Sequence, residues 1–135
     1  MAASVSSTGR GLMAIDITGV VATTDGAIGA VKNPEGVDVL ITRCILYVKT
    51  QSTGAANLSC GVAATATTAT TDIINALAVG GATGKYYNGQ AVQVTAKTEV
   101  SAPAVWSSTS YINFTGSATT AGLVATLFVE YLRTA

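Results

Sequence analysis

Apolar and polar residues alternate with a period of two along much of the chain. Leu58, Cys60 and Val62 are interleaved with Asn57, Ser59 and Gly61, and Val92, Val94 and Ala96 with Gln93, Thr95 and Lys97. Such alternation predicts strands with one buried face. Near the C-terminus, Leu123, Ala125, Leu127, Val129 and Tyr131 share one side, while Phe128 and Leu132 lie on the other with Thr126 and Glu130. The run from Val37 to Thr50 is apolar on both sides. Leu40, Cys44, Leu46 and Val48 hold even positions and are interrupted by Thr42; Val39, Ile41, Ile45 and Tyr47 hold odd positions and are interrupted by Arg43. A strand apolar on both sides is covered on both. One side is therefore expected to meet the domain core and the other an interface.

Two further strands are predicted over Ala14–Val21 and around Ala27–Val31. Turn signals separate the strands, among them Asp25-Gly26, Ser52-Thr53-Gly54, Gly80-Gly81, Asn88-Gly89 and Gly116-Ser117. The clearest is Asn33-Pro34-Glu35-Gly36, with Asn suited to the first position, Pro to the second and Gly to the last. The Ser52–Gly54 turn predicts a hairpin in which Leu46 faces Leu58 and Cys44 faces Cys60. A second hairpin is expected between Tyr111–Thr115 and Leu123–Arg133. The Ala/Thr tract from Ala63 to Thr71 predicts no regular element. After it, Asp72 either caps a short helical turn through Ile73, Ile74 and Leu77 or opens an irregular edge strand. Gly80–Gly89 is read as a loop carrying Tyr86 and Tyr87, and Pro103 as an edge or loop residue before Trp106. Residues 1–12 are small and polar, so the chain divides into a flexible N-terminal arm, 1–12, and one domain, 13–135. About eight strands with at most one helical turn predict an all-β fold. The expected form is an antiparallel two-sheet sandwich, jelly-roll-like, which closes most sheet edges.

Composition narrows the function. The 135 residues suit a single core. Charged residues make up 10%, against about 25% in ordinary soluble domains, and seven basic residues balance seven acidic ones. No basic face is available to track a phosphate backbone, so nucleic acid is not an expected partner. A surface this poor in charge is expected to be covered by other protein. No apolar run approaches the roughly 18 residues of a membrane helix, and Met1–Gly11 has no apolar stretch of signal-peptide type, so no membrane is expected. Assembly in a cytosol would keep Cys44 and Cys60 reduced, as two buried, apolar side chains.

The chain holds no histidine, which removes His-based triads, His-ligated metals and the commonest general base. The cluster Gly80-Gly81-Ala82-Thr83-Gly84-Lys85 lacks the phosphate-loop spacing and the following Ser/Thr. Asp16, Asp25, Glu35 and Asp38 fall in loops or near strand ends but without calcium-loop spacing, so they read as turn-formers and solvated charges. No cofactor, metal or catalysis is expected. Tyr86, Tyr87 and Trp106 are the residues that would form a surface aromatic platform for a sugar, although such rings more often pack between loops or at interfaces.

Residues 16–64, DITGVVATTDGAIGAVKNPEGVDVLITRCILYVKTQSTGAANLSCGVAA, resemble small virion proteins encoded among the structural genes of tailed phages. The stretch SATTAGLVATLFVEYLR, 117–133, is similar to the closing hairpin of the same proteins. Together the two cover about half of the chain. The resemblance implies a decoration or cement protein on the capsid exterior, often a homotrimer, that binds the major capsid protein and is assembled in the host cytoplasm. Candidate capsid or subunit contacts are Arg10, Leu12, Met13, Ile41, Ile45 and Tyr47. Two alternatives stand beside it: a carbohydrate-binding sandwich using the aromatic platform, and a head-fibre or tail component.

Overall fold

In the computed structural model, residues 9–21, 26–80, 84–87 and 104–134 are described, without the side chains of Gly26, Gly84–Tyr87 and Ala104. They form nine strands: β1 (Arg10–Thr18), β2 (Gly26–Lys32), β3 (Val39–Thr50), β4 (Asn57–Ala63), β5 (Ile74–Ala78), β6 (Gly84–Tyr87), β7 (Ala104–Trp106), β8 (Tyr111–Gly116) and β9 (Val124–Arg133). All pairings are antiparallel. The first sheet runs β1-β9-β3, with β7 and β6 sharing the far edge of β3; the second runs β2-β8-β4-β5. The pairs β1·β9, β2·β8, β3·β6/β7 and β4·β5 nest inside one another like a long hairpin rolled over itself. This is the jelly-roll order, and the fold is the all-β, two-sheet sandwich that the alternation predicts. The predicted strand over 92–96 lies outside the described residues.

The core is the layer between the sheets. The inward positions of β9 and the preceding Leu123 are all buried, as the alternation predicts, and they meet Leu58, Cys60, Ile74, Ile112 and Phe114 from the second sheet. Trp106 is fully buried, and its indole N–H donates to the Ser110 carbonyl at 3.0 Å. The Asn33-Pro34-Glu35-Gly36 turn forms with Gly36 at φ +73°, a conformation that costs glycine nothing. Asn33 Oδ1 accepts the Glu35 N–H at 2.8 Å, and its amide N–H₂ donates to the carbonyls of Val37 and Trp106, both at 2.9 Å.

Several expectations are corrected. Both predicted hairpins fail, because β3 and β4 belong to opposite sheets, as do β8 and β9. In a rolled hairpin, strands adjacent in sequence cross from one layer to the other, and a short crossing connection carries the same turn residues as a hairpin. Cys44 and Cys60 therefore sit in facing sheets of one core, both as free thiols. The boundary at residue 12 also moves. β1 begins at Arg10 and takes the last three residues of the expected arm, since Arg10, Gly11 and Leu12 pair with Leu132, Tyr131 and Glu130. Gly11 fits there because a Cβ would lie 2.2 Å from the Tyr131 ring. Residues 1–8 of the expected arm lie outside the described residues. Residues 73–78 take the edge-strand alternative, with β5 irregular in register and Ala76 at φ 57°. Gly84–Tyr87, read as loop, is strand β6 on the edge of β3.

Candidate functional site

Pleating sends alternate residues of the first sheet outward, and β3 changes which ones halfway along. Ile41 pairs with Tyr131 but Arg43 pairs with Glu130, leaving Thr42 as an extra residue. This bulge switches the parity of the strand. Val39 and Ile41 are buried before it, and Cys44, Leu46 and Val48 after it. Ile41 is thus a core residue and not a contact, a correction to the strictly two-sided reading of the strand. Met13 is corrected for a simpler reason: it alternates with the outward Leu12 and packs against the core.

The remaining predicted contacts converge. Arg10, Leu12, Ile45 and Tyr47 all lie on the outer face of the first sheet. Register sets that face out in rows across β1, β9 and β3: Ala14–Phe128–Ile45, Asp16–Thr126–Tyr47 and Arg10–Leu132–Leu40, the last continuing to Val105 on β7. The large apolar side chains exposed among the described residues are Leu12, Val21, Tyr47, Val105, Val124 and Leu132. All but Val21 lie on this one face, which makes it a patch and not a scatter of single residues. Leu12 is 71% exposed and Val105 60%.

A charged cluster crosses the patch, and Asp16 adds a separate exposed charge on β1. Glu130 on β9 lies 3.4 Å from Arg10 on β1 and 3.9 Å from Arg43 on β3, and Thr42 Oγ1 stands 3.1 Å from its carboxylate. Both arginines are mostly solvated, so as ion pairs these contribute little to folding. Their importance is positional, since they fix two positive groups around one negative group on an apolar face. Sequence reasoning missed Phe128, Leu132, Val105 and Val124. The signal for the first two is the second apolar set of β9, which has no use inside the core.

The outer face of the second sheet is built differently. Residues 64–72 strap across it, held where the Asn113 amide donates to the carbonyls of Thr65, at 2.9 Å, and Thr68. Asp72 Oδ1 accepts the Val62 N–H at 2.9 Å. Gly61 admits the strap, since a Cβ there would lie 1.9 Å from Asp72 Oδ1. Beside the strap is an open cleft of about 300 Å³ lined by small side chains, among them Ala27, Asn57, Ser59, Ala69, Ala76 and Thr115.

The expected aromatic platform does not form around Trp106, whose ring is in the core; a surface role for it is corrected. The backbones of Tyr86 and Tyr87 pair with Leu46 and Ile45. Carboxylates take separate partners: Asp16 accepts from Thr126 at 2.8 Å, Asp38 accepts the Ser108 N–H at 2.8 Å, and Glu35 meets the Tyr131 hydroxyl and Arg133. Asp25 lies outside the described residues. The hydrogen bond to Glu35 holds the Tyr131 phenol above its ordinary pKa. Burial pushes the Cys44 thiol up to about 12 and, with the nearby Cys44 and Asp72, pushes Cys60 well above its usual range. Neither is a reactive thiolate. Among the described residues, no three His, Cys, Asp or Glu side chains group to hold a metal. Compared with protein-family models, curated proteins and solved structures, the chain gives no match.

Proposed function

We propose that the chain is a structural protein of a tailed-phage particle, a decoration or cement subunit that binds the outer shell and stabilises it without catalysis. The observation that carries this reading is the apolar outer face of the first sheet on a domain with so few charges. Such a face on a rigid sandwich is suited to packing against other protein. The resemblance of residues 16–64 and 117–133 to phage virion proteins supplies the setting. A subunit that binds only the mature shell stabilises that state by mass action, so a scaffold and a contact face are enough. The partners are copies of the chain and the major capsid protein.

The carbohydrate-binding alternative loses its largest ring with Trp106 in the core. The experiment mixes the purified full chain with empty, expanded shells of the major capsid protein and follows co-sedimentation and the shells' thermal midpoint. The expected result is co-sedimentation and a higher midpoint. A chain that self-associates but ignores shells is a fibre or tail component, and the decoration reading falls.

A further inference from the structure

We infer that the outer face of the first sheet takes a second copy of this chain, face to face about a two-fold axis. The inference rests on the structural reading above and names the partner of that face. Apart from Val21, the exposed large apolar side chains of the described residues gather here alone. The outer face of the second sheet carries small side chains, with no large exposed apolar one among the described residues, and is strapped. An apolar partner surface on another copy is therefore the same face, and a surface that is its own complement is related by a two-fold axis. This gives pairs, in place of the trimer that the resemblance implies. Net charge adds no long-range repulsion between copies, because seven basic and seven acidic residues cancel.

The charged cluster places the axis. The sheet has four columns, β1, β9, β3 and the β6/β7 edge, so an axis between β9 and β3 lets each copy cover the whole face of the other. Face-to-face sheets pack with their strands within about 30° of each other. In that arrangement Glu130 of one copy meets Arg43 of the second, and Arg43 meets Glu130, while Arg10 stays beside its own Glu130. Phe128 meets Ile45, and Leu132 meets Leu40. An axis along β9 would stack Glu130 on Glu130 and lay Leu12 over Arg43, which like-charge repulsion and an unmatched charge disfavour. An axis between β1 and β9 would leave the exposed Tyr47 and Val105 columns overhanging. The central axis satisfies charge and coverage together.

The test is charge complementation in trans, read by sedimentation of the full chain. Wild type is expected at twice the 13.5 kDa of one chain at micromolar concentration. Arg43→Glu and Glu130→Arg should each weaken pairing by about tenfold or more, equivalent to about 1.4 kcal/mol. Mixed in equal amounts they should pair again, because each copy then offers the charge the other needs. Loss of internal ion pairs alone would not be repaired by mixing. Leu132→Asp should abolish pairing, with the monomer's circular dichroism retained. A monomeric or trimeric wild type, or no recovery on mixing, overturns the inference. If the monomer still binds shells and Leu132→Asp stops it, the face belongs to the shell: the two-fold pair falls and the structural reading stands. If pairs form and shells are ignored, the reverse holds.

Discussion

The two sheets share one core, yet their outer faces follow opposite designs. The second sheet turns small side chains outward and covers part of them with the chain's own 64–72 strap, pinned by Asn113 and admitted by Gly61. The first leaves Leu12, Tyr47, Val105, Val124 and Leu132 to solvent with no strap of its own among the described residues. Both faces have the hydrogen-bonded ladders a sheet needs, so backbone satisfaction does not explain the contrast. A covered face serves the fold of one chain. An apolar face left open by the described residues costs solubility and adds little to that fold, which is why packing against other protein is proposed for it.

Substitutions at the core and on each face should therefore differ in size and in kind. The largest effect is expected in the shared core: Trp106→Ala removes a fully buried ring and its bond to Ser110, and should cost about 3–5 kcal/mol in chemical denaturation. Next comes the covered face. Gly61→Val drives a side chain into Asp72 and Thr70, and should cost about 1–3 kcal/mol, with faster proteolysis within 64–72.

Alkaline stability probes the layer between the sheets, to which Cys44 and Cys60 contribute from opposite sides. In the unfolded chain a thiol loses its proton near pH 9, while folded Cys44 keeps its proton until about 12. The folded state thus binds more protons in this window, so stability present below pH 9 is lost as pH rises toward 12. The slope approaches about 1.4 kcal/mol per pH unit for each such thiol. A Cys44→Ala/Cys60→Ala chain should show a shallower fall in thermal midpoint across pH 9 to 11. The smallest folding effect is expected on the bare face. Leu132→Ser should change the stability of the isolated monomer by less than about 0.5 kcal/mol while weakening association.

The sequence made one of these faces far more readable than the other. The core side of β9 was legible in full, because four alternate apolar residues, with Leu123 just before them, leave no other register. Its outward Phe128 and Leu132 carried the clue to the bare face. The parity of β3 was not legible: the bulge at Thr42 exists only through pairing with Glu130, far along the chain, so Ile41 and Ile45 looked equivalent until the partner strand was in place. The hairpins were misread because local turn chemistry does not record whether the next strand stays in the same sheet. The strap was equally hidden. Its Ala/Thr composition signals only the absence of a regular element, and its anchor is an asparagine 48 residues away from Thr65. Nor did anything local show that β1 starts at Arg10, since Gly9 and Gly11 read as tail until Arg133 lies across the first and Tyr131 across the second.

Side-chain footprinting of the intact protein tests the contrast most directly, since Tyr47 stands on the bare face and Tyr111 on the strapped one. Hydroxyl-radical labelling, read by mass spectrometry from nanomolar to high micromolar concentration, reports each position in the same sample. Labelling of Tyr47, Leu12 and Leu132 should fall as concentration rises, while Tyr111 stays constant. Equal labelling of Tyr47 at every concentration and in the presence of shells, or protection of Tyr111 instead, would contradict the claim that the first sheet's outer face is the working surface.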